Sequence, residues 1–379
     1  MIRTSEERCM VVKAAVYQKG KGFQAKEFVK PQLGQNDILM KIKLCGICGT
    51  DVHFWKGLQG ISEPYVMGHE FIGEVAEGGS KKILDERGLK IGDQIAVEII
   101  IPCHHCSWCK KGKYNLCLKD DLKFGNGYGR QYGCNIPLTR PPTPLWGGFS
   151  QVLYVPKQAL VHKYEKRTLE KRAVFTEPLA TALHATELSR LKRGSSCAII
   201  GPGPIGICCV VSAKLLGAHP IILIGKDEKY DGQRLEIGRD RGADYTIYSS
   251  HRKSAREEVR ELTKGEGVDV CLEASGSWEA QLTALEMVRK GGSCVFIGVN
   301  GYRKLLLVPD KLIFKEMSLI GTFLGPGTYK EAVRIIEGGR FPLENMVTHE
   351  FSLDKINDAF RLIEEKKQEV IKVVINPWK

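Results

Sequence analysis

No apolar run in this 379-residue chain approaches the ~18 residues that a membrane-spanning helix requires. The opening stretch, "MIRTSEERCMVVKAAVYQKG", lacks the long apolar segment of a secretory signal. The expected location is therefore the cytoplasm, with no membrane partner. No internal repeat is visible, which leaves out solenoid architectures. A paired cysteine framework is missing too. The 13 cysteines are odd in number, and in a cytosolic chain they are expected as thiols or metal ligands. Acids are the scarcer charge, 44 against 56 lysines and arginines, for a net charge of +12. Such a surplus could favour an anionic cofactor, an acidic substrate or nucleic acid. The basic residues are scattered, however, and the densest cluster, "EKRTLEKR" from Glu165 to Arg172, is interrupted by acids. It reads as solvated surface, and no nucleic-acid partner is expected.

What is present fits an ordinary globular protein, 43% hydrophobic and 26% charged. The length implies two domains. The first 160 or so residues carry short strand-like runs broken by glycine, "AAVYQKG", "DILMKIKLCG", "EFIGEVAEGG" and "GDQIAVEIIIPC", which suggests a β-rich domain. A glycine- and proline-rich stretch from Phe124 to Phe149 reads as a long loop, carrying Tyr128, Tyr132, Trp146 and Phe149. From about Glu177 strands alternate with helices: "SCAIIG", "PIGICCVVSAKLLGA", "PIILIG", "GQRLEIGRDRGAD", "VDVCLEASG" and "GGSCVFIGV". That alternation predicts a parallel sheet with helices on both faces. Two amphipathic helices, "TYKEAVRIIEGG" and "DKINDAFRLIEEKK", follow.

"IIGPGPIG" places Gly201, Gly203 and Gly206 in a G-x-G-x-x-G pattern between a strand and a helix, the context that gives the pattern meaning. Gly201 permits the tight turn, Gly203 lets backbone approach a pyrophosphate at the helix N-terminus, and Gly206 lets helix and strand pack closely. Pro204 and Ile205 belong to the same turn. An acid at the end of the next strand would bind the 2′-hydroxyl of NAD. That strand instead ends at Gly225 with Lys226 beside it, followed by Asp227 and Glu228. The pair Gly225 and Lys226 tilts the reading slightly to NADP over NAD, while the two acids keep NAD open. Ser275, Gly298 and Val299, after later strands, complete the expected cofactor-binding set.

Two groups of metal-ligating residues precede this cradle. "PCHHCSWCKKGKYNLC" supplies Cys103, Cys106, Cys109 and Cys117. Four thiolates with no open position make a structural zinc site, so His104 and His105 between them are expected to be bystanders. "CGICGTDVHFWKG" with the following "GHE" offers Cys48, His69 and Glu70 from separate segments. Sulfur, nitrogen and oxygen ligands that leave room for water or substrate describe a catalytic zinc site. Zinc there would pull the pKa of a bound alcohol toward neutrality.

Taken together, "CGICGTDVH", "GHE", the four-cysteine lobe, "GPGPIG" and the closing "FSLDKINDAFRLIEEKK" resemble, over nearly the whole chain, the zinc-dependent medium-chain dehydrogenase/reductase family. "TEPLATALHA", from Thr176 to Ala185, is similar to the sorbitol and threonine dehydrogenase branch. The resemblance implies a chaperonin-ten-like β-rich catalytic domain, residues 1–178 and 323–379, with an inserted Rossmann doubly wound domain at 179–322. It implies that Cys48 and His69 ligate the catalytic zinc and that Glu70 and Glu177 are its carboxylates, one on the metal and the other on its water, or exchanging. Thr50 would hydrogen-bond the reacting alcohol, and His53 would pass its proton to solvent through the cofactor ribose. Asp51 is supportive and Cys45 structural. Two zinc ions per subunit and a homodimer or homotetramer are implied as well. The implied activity is NAD(P)-linked interconversion of a secondary alcohol, of polyol or sugar type, with its ketone or aldehyde. A threonine-type amino-alcohol dehydrogenase is the alternative enzyme. A non-catalytic zinc- and nucleotide-binding protein is the alternative outside enzymes, opposed by the open metal set of Cys48, His69 and Glu177. The exact substrate is not legible, because pocket shape decides it.

Overall fold

The computed structural model describes residues 10–119, 129–250, 254–365, 367 and 369–379. Short strands of buried apolar residues organise most of it. "CAII" at Cys197–Ile200 and "IILIG" at Ile221–Gly225 are buried throughout, as strands covered on both faces must be. They sit in a six-stranded parallel sheet. Its order runs Tyr245–Tyr248, Ile221–Gly225, Cys197–Ile200, Val268–Glu273, Val288–Phe296, Ser318–Gly321. Numbered along the chain this is 3-2-1-4-5-6, the doubly wound order whose crevice opens where the order reverses, beyond the carboxyl ends of the first and fourth strands.

The helix Pro204–Leu216 follows the first strand directly. Proline opens it and Gly217, at φ 76°, closes it in the left-handed conformation. Its buried face joins a core with Cys197, Ile199, Leu223 and Leu272. The expected alternation of strand and helix is thus observed.

The β-rich part contains a seven-stranded sheet. Ile38–Gly46 lies at its centre, antiparallel to Glu70–Gly78 on one side and to Val152–Val155 and Lys372–Ile375 on the other. A three-stranded sheet of Gly22–Val29, Val11–Gln18 and Tyr65–Val66 packs with it. The C-terminal strand matters for the site, because pairing of Val374 with Gly46 and of Ile375 with Cys45 brings the last residues beside the opening motif. The chain passes between the two sheets twice, outward along the helix Thr176–Leu188 and back through residues 323–328.

The expected long loop lies partly outside the described residues, Phe124 and Tyr128 included. From 129 to 149 it forms turns, with isolated bridges at Gln131 and, just beyond, Ser150. Tyr132, Trp146 and Phe149 are buried in the core of the β-rich part, where the Tyr132 ring meets Phe71 at 5.7 Å and Trp146 at 6.2 Å. These aromatics therefore build the core. Among the described residues, no helix is long and apolar enough to cross a membrane.

Candidate active site and metal centres

The four cysteines of the lobe converge, with all Sγ atoms within 4.8 Å of one another. Backbone N–H groups point at the sulfurs: Cys106 N–H at Cys103 Sγ (3.3 Å), Cys103 N–H at Cys117 Sγ (3.3 Å) and Lys119 N–H at Cys117 Sγ (3.4 Å). Such donors favour thiolates. The N–H groups of Cys109 and Leu118 pull the Cys106 thiol down to about 6. Four sulfurs closing one shell fit zinc with no open position. His104 binds the Gln158 carbonyl (2.8 Å) and His105 the Cys103 carbonyl (2.7 Å), and neither belongs to the sulfur group.

The opening motif forms the short helix Gly49–Trp55, with Cys48 as its extended N-cap residue. Asp51 is fully buried and joins two candidate ligands from different segments. Its Oδ2 accepts the Cys48 N–H at 2.9 Å, and its Oδ1 lies 3.3 Å from His69 Nδ1. A carboxylate behind a ligating imidazole fixes its tautomer and orientation. Burial pushes the His69 pKa down, yet the anionic surroundings of Asp51, Cys134 and Cys48 outweigh it and hold the ring well above its ordinary value. The Cys134 thiol, 3.7 Å from His69 Nδ1, comes from the described end of the long loop. The sequence held no signal for that contact. Cys45 is buried, its thiol pushed up chiefly by burial.

Glu70 opens the strand Glu70–Gly78, and its Oε2 is ion-paired with Lys372 Nζ. Lys372 also donates to the Ile47 carbonyl at 3.1 Å. Both side chains are 2% exposed. Burial lowers the Lys372 pKa, but the nearby Glu70, Cys48 and Glu177 raise it further, so the ammonium persists. Gly46 leaves room for the pair, since a Cβ on it would overlap both Glu70 Oε2 and Lys372 Cε and force one of them to shift. Sequence reasoning missed Lys372. Its signal was a lysine set inside the apolar run "VIKVVI" of a strand, where charge is unexpected unless paired.

Glu177 lies in the first turn of the helix Thr176–Leu188, buried, with Thr181 Oγ1 donating to its Oε1 at 3.0 Å. Burial, then the charge of Glu70, pushes its pKa up to about 7. Cys48, His69, Glu70 and Glu177 are therefore brought into one electrostatic neighbourhood. Among the described residues only the four-cysteine lobe gathers three or more donor atoms within 4.8 Å, so this second set is wider, with Glu70 drawn toward Lys372. Its mixed donors fit an open zinc site better than a closed one.

Thr50 is half-buried in the first turn after Cys48. His53 is half-buried on the same helix, and its Nδ1 is buried without a hydrogen-bond partner. A Cβ on Gly301, from the nucleotide-domain side, would lie 3.3 Å from that nitrogen. His53 Nδ1 thus faces Gly301 with an open acceptor or donor position. Burial, then the charges of Lys56 and Arg303, lower its pKa.

The parallel-sheet crevice is shaped for close backbone approach. Gly201 has φ 97°, and a Cβ there would lie 2.8 Å from Ser275 Cβ, while one on Gly206 would strike the Gly201 carbonyl. Gly203, with Pro204 and Ile205 after it, has open space above its Cα. Buried Glu273 accepts the N–H groups of Ser275 (2.8 Å) and Gly276 (3.0 Å) and so fixes the opposite lip, near Gly298 and the exposed Val299. This cradle fits a dinucleotide. At the ribose end Asp227 caps the next helix by accepting the Tyr230 N–H (2.8 Å). Asp231 accepts the Lys226 N–H (2.6 Å) and pairs with Arg234 at 3.2 Å. The Lys226 side chain is exposed.

Comparison with known proteins identifies these features. Residues 34–165 match the alcohol dehydrogenase GroES-like domain, and residues 204–338 match the zinc-binding dehydrogenase family. The chain is 30% identical over 370 residues to sorbitol dehydrogenase of Bacillus subtilis (strain 168), covering 97% of each chain. The chain belongs to the zinc-dependent alcohol dehydrogenase family. Erythritol/L-threitol dehydrogenase of Mycolicibacterium smegmatis is 30% identical over 366 residues, covering 92% of this chain and 93% of its own. Among solved structures, a protein named as a zinc-binding dehydrogenase from Sinorhizobium meliloti 1021, bound to NADP, superposes with a TM-score of 0.81. It is 28% identical and covers 97% of this chain and 100% of its own. The dehydrogenase thus joins a GroES-like β-rich domain to a Rossmann domain.

Proposed function

We propose that this dehydrogenase interconverts a secondary alcohol of polyol or sugar type with its ketone or aldehyde. The observation that carries the reading is the opposition of two half-sites. Cys48, His69, Glu70 and Glu177 lie on one side, and His53 from that side faces Gly301 on the nucleotide side. The relatives named above act, by their names, on sorbitol and erythritol or threitol, which supports the substrate class.

In this reading Cys48, His69 and the carboxylates Glu70 and Glu177 hold one zinc, and Cys103, Cys106, Cys109 and Cys117 hold a second. Held there, zinc would supply a Lewis acid that polarises the alcohol oxygen and lowers its pKa, and a bound nicotinamide would supply the hydride acceptor. The chain's own groups do the rest. Asp51 orients His69. Lys372 balances the negative charge of Glu70. Thr50 would hydrogen-bond the alcohol oxygen, and His53, with Nδ1 open, would accept the released proton and pass it toward solvent.

Cofactor choice leans to NADP. Gly225 offers no carboxylate, and Asp227 and Asp231 have hydrogen bonds within the fold. Lys226 is left exposed to meet a 2′-phosphate. The division of domains is set at 178/179 and 322/323. The enzyme is read as a cytoplasmic homodimer or homotetramer. The edge strand Ser318–Gly321 supports self-association. Beside it Ile313 and Phe314 are 68% and 77% exposed, and such an edge can pair with its own copy about a two-fold axis.

The test is a screen of alcohols and polyols with NAD and with NADP, following absorbance of the reduced nicotinamide. Turnover of vicinal secondary alcohols supports the reading. Turnover confined to primary monoalcohols, or to amino alcohols, refutes it.

A further inference from the structure

The four-cysteine lobe grips the segment by which the chain returns from the nucleotide domain. Tyr114 and Asn115 belong to the short turn Tyr114–Leu116, immediately before Cys117. The Tyr114 hydroxyl accepts the Gly327 N–H at 2.5 Å and donates to Glu98 Oε1 at 3.1 Å. Asn115 Nδ2 donates to the Phe323 carbonyl at 2.8 Å. Buried Glu98 also binds His162 Nε2 at 2.8 Å, and the His162 ring stacks on Tyr329 with centroids 5.6 Å apart. The lobe therefore holds both ends of residues 323–327 and, through Glu98 and His162, the residue that opens the next helix.

The other side of this segment is strapped to the outgoing helix Thr176–Leu188. Thr328 Oγ1 donates to the Ala180 carbonyl at 2.7 Å. A Cβ on Gly325 would lie 2.5 Å from the Ala180 carbonyl carbon. Ala180 is one turn beyond Glu177. Within the gripped segment Leu324 has φ 57°, a strained left-handed conformation for a branched side chain that persists only where neighbours over-determine it. Contacts thus run without a gap from Cys117 through Tyr114 and Asn115 to Phe323 and Gly327. From there they pass by Thr328 to Ala180 and Glu177.

We propose that Tyr114 and Asn115 are positioning residues through which the four-cysteine lobe sets the angle between the two domains and the placement of Glu177. Residues that absorb the backbone change at a domain crossing govern closure around a cofactor. Metal in the lobe orders the turn, and the turn holds the crossing. The inference rests on reading the lobe as a loaded zinc site in a nicotinamide-dependent enzyme.

The test uses the purified zinc-loaded enzyme and the variants Tyr114→Phe, Asn115→Leu, Thr328→Val, Thr328→Ser and the double variant Tyr114→Phe/Thr328→Val. Tyr114→Phe and Asn115→Leu are expected to retain the zinc content of the parent. Each should raise the cofactor Kd and KM by about two- to tenfold, the range for one lost hydrogen bond. Thr328→Ser should restore what Thr328→Val loses. Hydrogen exchange should rise at residues 323–328. Because Tyr114 and Thr328 act on one segment from opposite sides, the double variant should be no worse than the more severe single one, a non-additive pattern. Unchanged cofactor affinity with zinc retained, strictly additive effects, or loss of the lobe zinc in Tyr114→Phe would each overturn the proposal. A parent enzyme whose lobe binds no zinc, or that shows no nicotinamide-dependent turnover, would instead refute the underlying reading, and that measurement is made before any variant.

Discussion

Lys372 shows what a single residue decides in this site. It stands 302 positions from Glu70 in the chain, yet the two side chains pair where both are nearly inaccessible. Removing one partner of a buried ion pair leaves the other charge unmatched and costs about 3–5 kcal/mol. Lys372→Met is expected to destabilise the fold by that order, measured by denaturant titration. An unchanged midpoint would show that Glu70 finds another cation or solvent. His53 carries a second prediction at this scale. Burial, Lys56 and Arg303 lower its pKa, so the neutral, proton-accepting ring persists below its ordinary value of 6.5 and is lost only as pH falls through the depressed value. The acid limb of alcohol oxidation should thus lie below pH 6.5, and His53→Gln should remove that limb and slow oxidation at neutral and mildly acidic pH while retaining zinc. A profile overlaying the parent would take His53 out of the mechanism. Cys48, His69, Glu70, Thr50 and His53 were legible because they crowd into two short motifs. Lys372 and Cys134 were not, because their contacts depend on strand pairing and loop folding over long separations.

At the level of elements the dinucleotide cradle was the most legible feature, since glycine spacing, strand and helix agree locally. The helix Gly49–Trp55 was not legible, because seven residues are too few to display a helical period. The ribose end is instructive. Asp231 sits under Gly225, where a Cβ would lie 2.8 Å from Asp231 Cβ. Gly225→Asp therefore has to displace Asp231 from the Lys226 N–H, and it should lower stability while turning preference toward NAD. Lys226→Ala touches only an exposed side chain and should weaken NADP much more than NAD, read as the ratio of their kcat/KM values. Equal loss for both would move the ribose contact to Asp227 or Glu228. The four-cysteine lobe gives another element-scale prediction. A closed zinc site contributes folding free energy directly. Cys106→Ser should lower the thermal midpoint or alter the oligomer, and an unchanged midpoint with abolished turnover would contradict the assignment of the lobe.

For the whole molecule, the β-rich and alternating halves were legible from texture, because turn spacing and apolar periodicity are local. The return of the C-terminal strand to Gly46 and Cys45 was suggested only by resemblance, since no local signal names a strand's partner. That return makes the molecule work as one unit. The strand carries Lys372 to Glu70, while at the crossing Thr328 donates to the carbonyl of Ala180, one turn beyond Glu177. In the proposed mechanism Cys48 and its partners form a zinc site that oxidises an alcohol opposite a nicotinamide. The most direct measurement is metal content and polyol-dependent nicotinamide reduction on the same preparations of parent and Cys48→Ala. Two zincs and turnover are expected in the parent, and one zinc without turnover in the variant. Full zinc content or parental turnover in Cys48→Ala would contradict this mechanism.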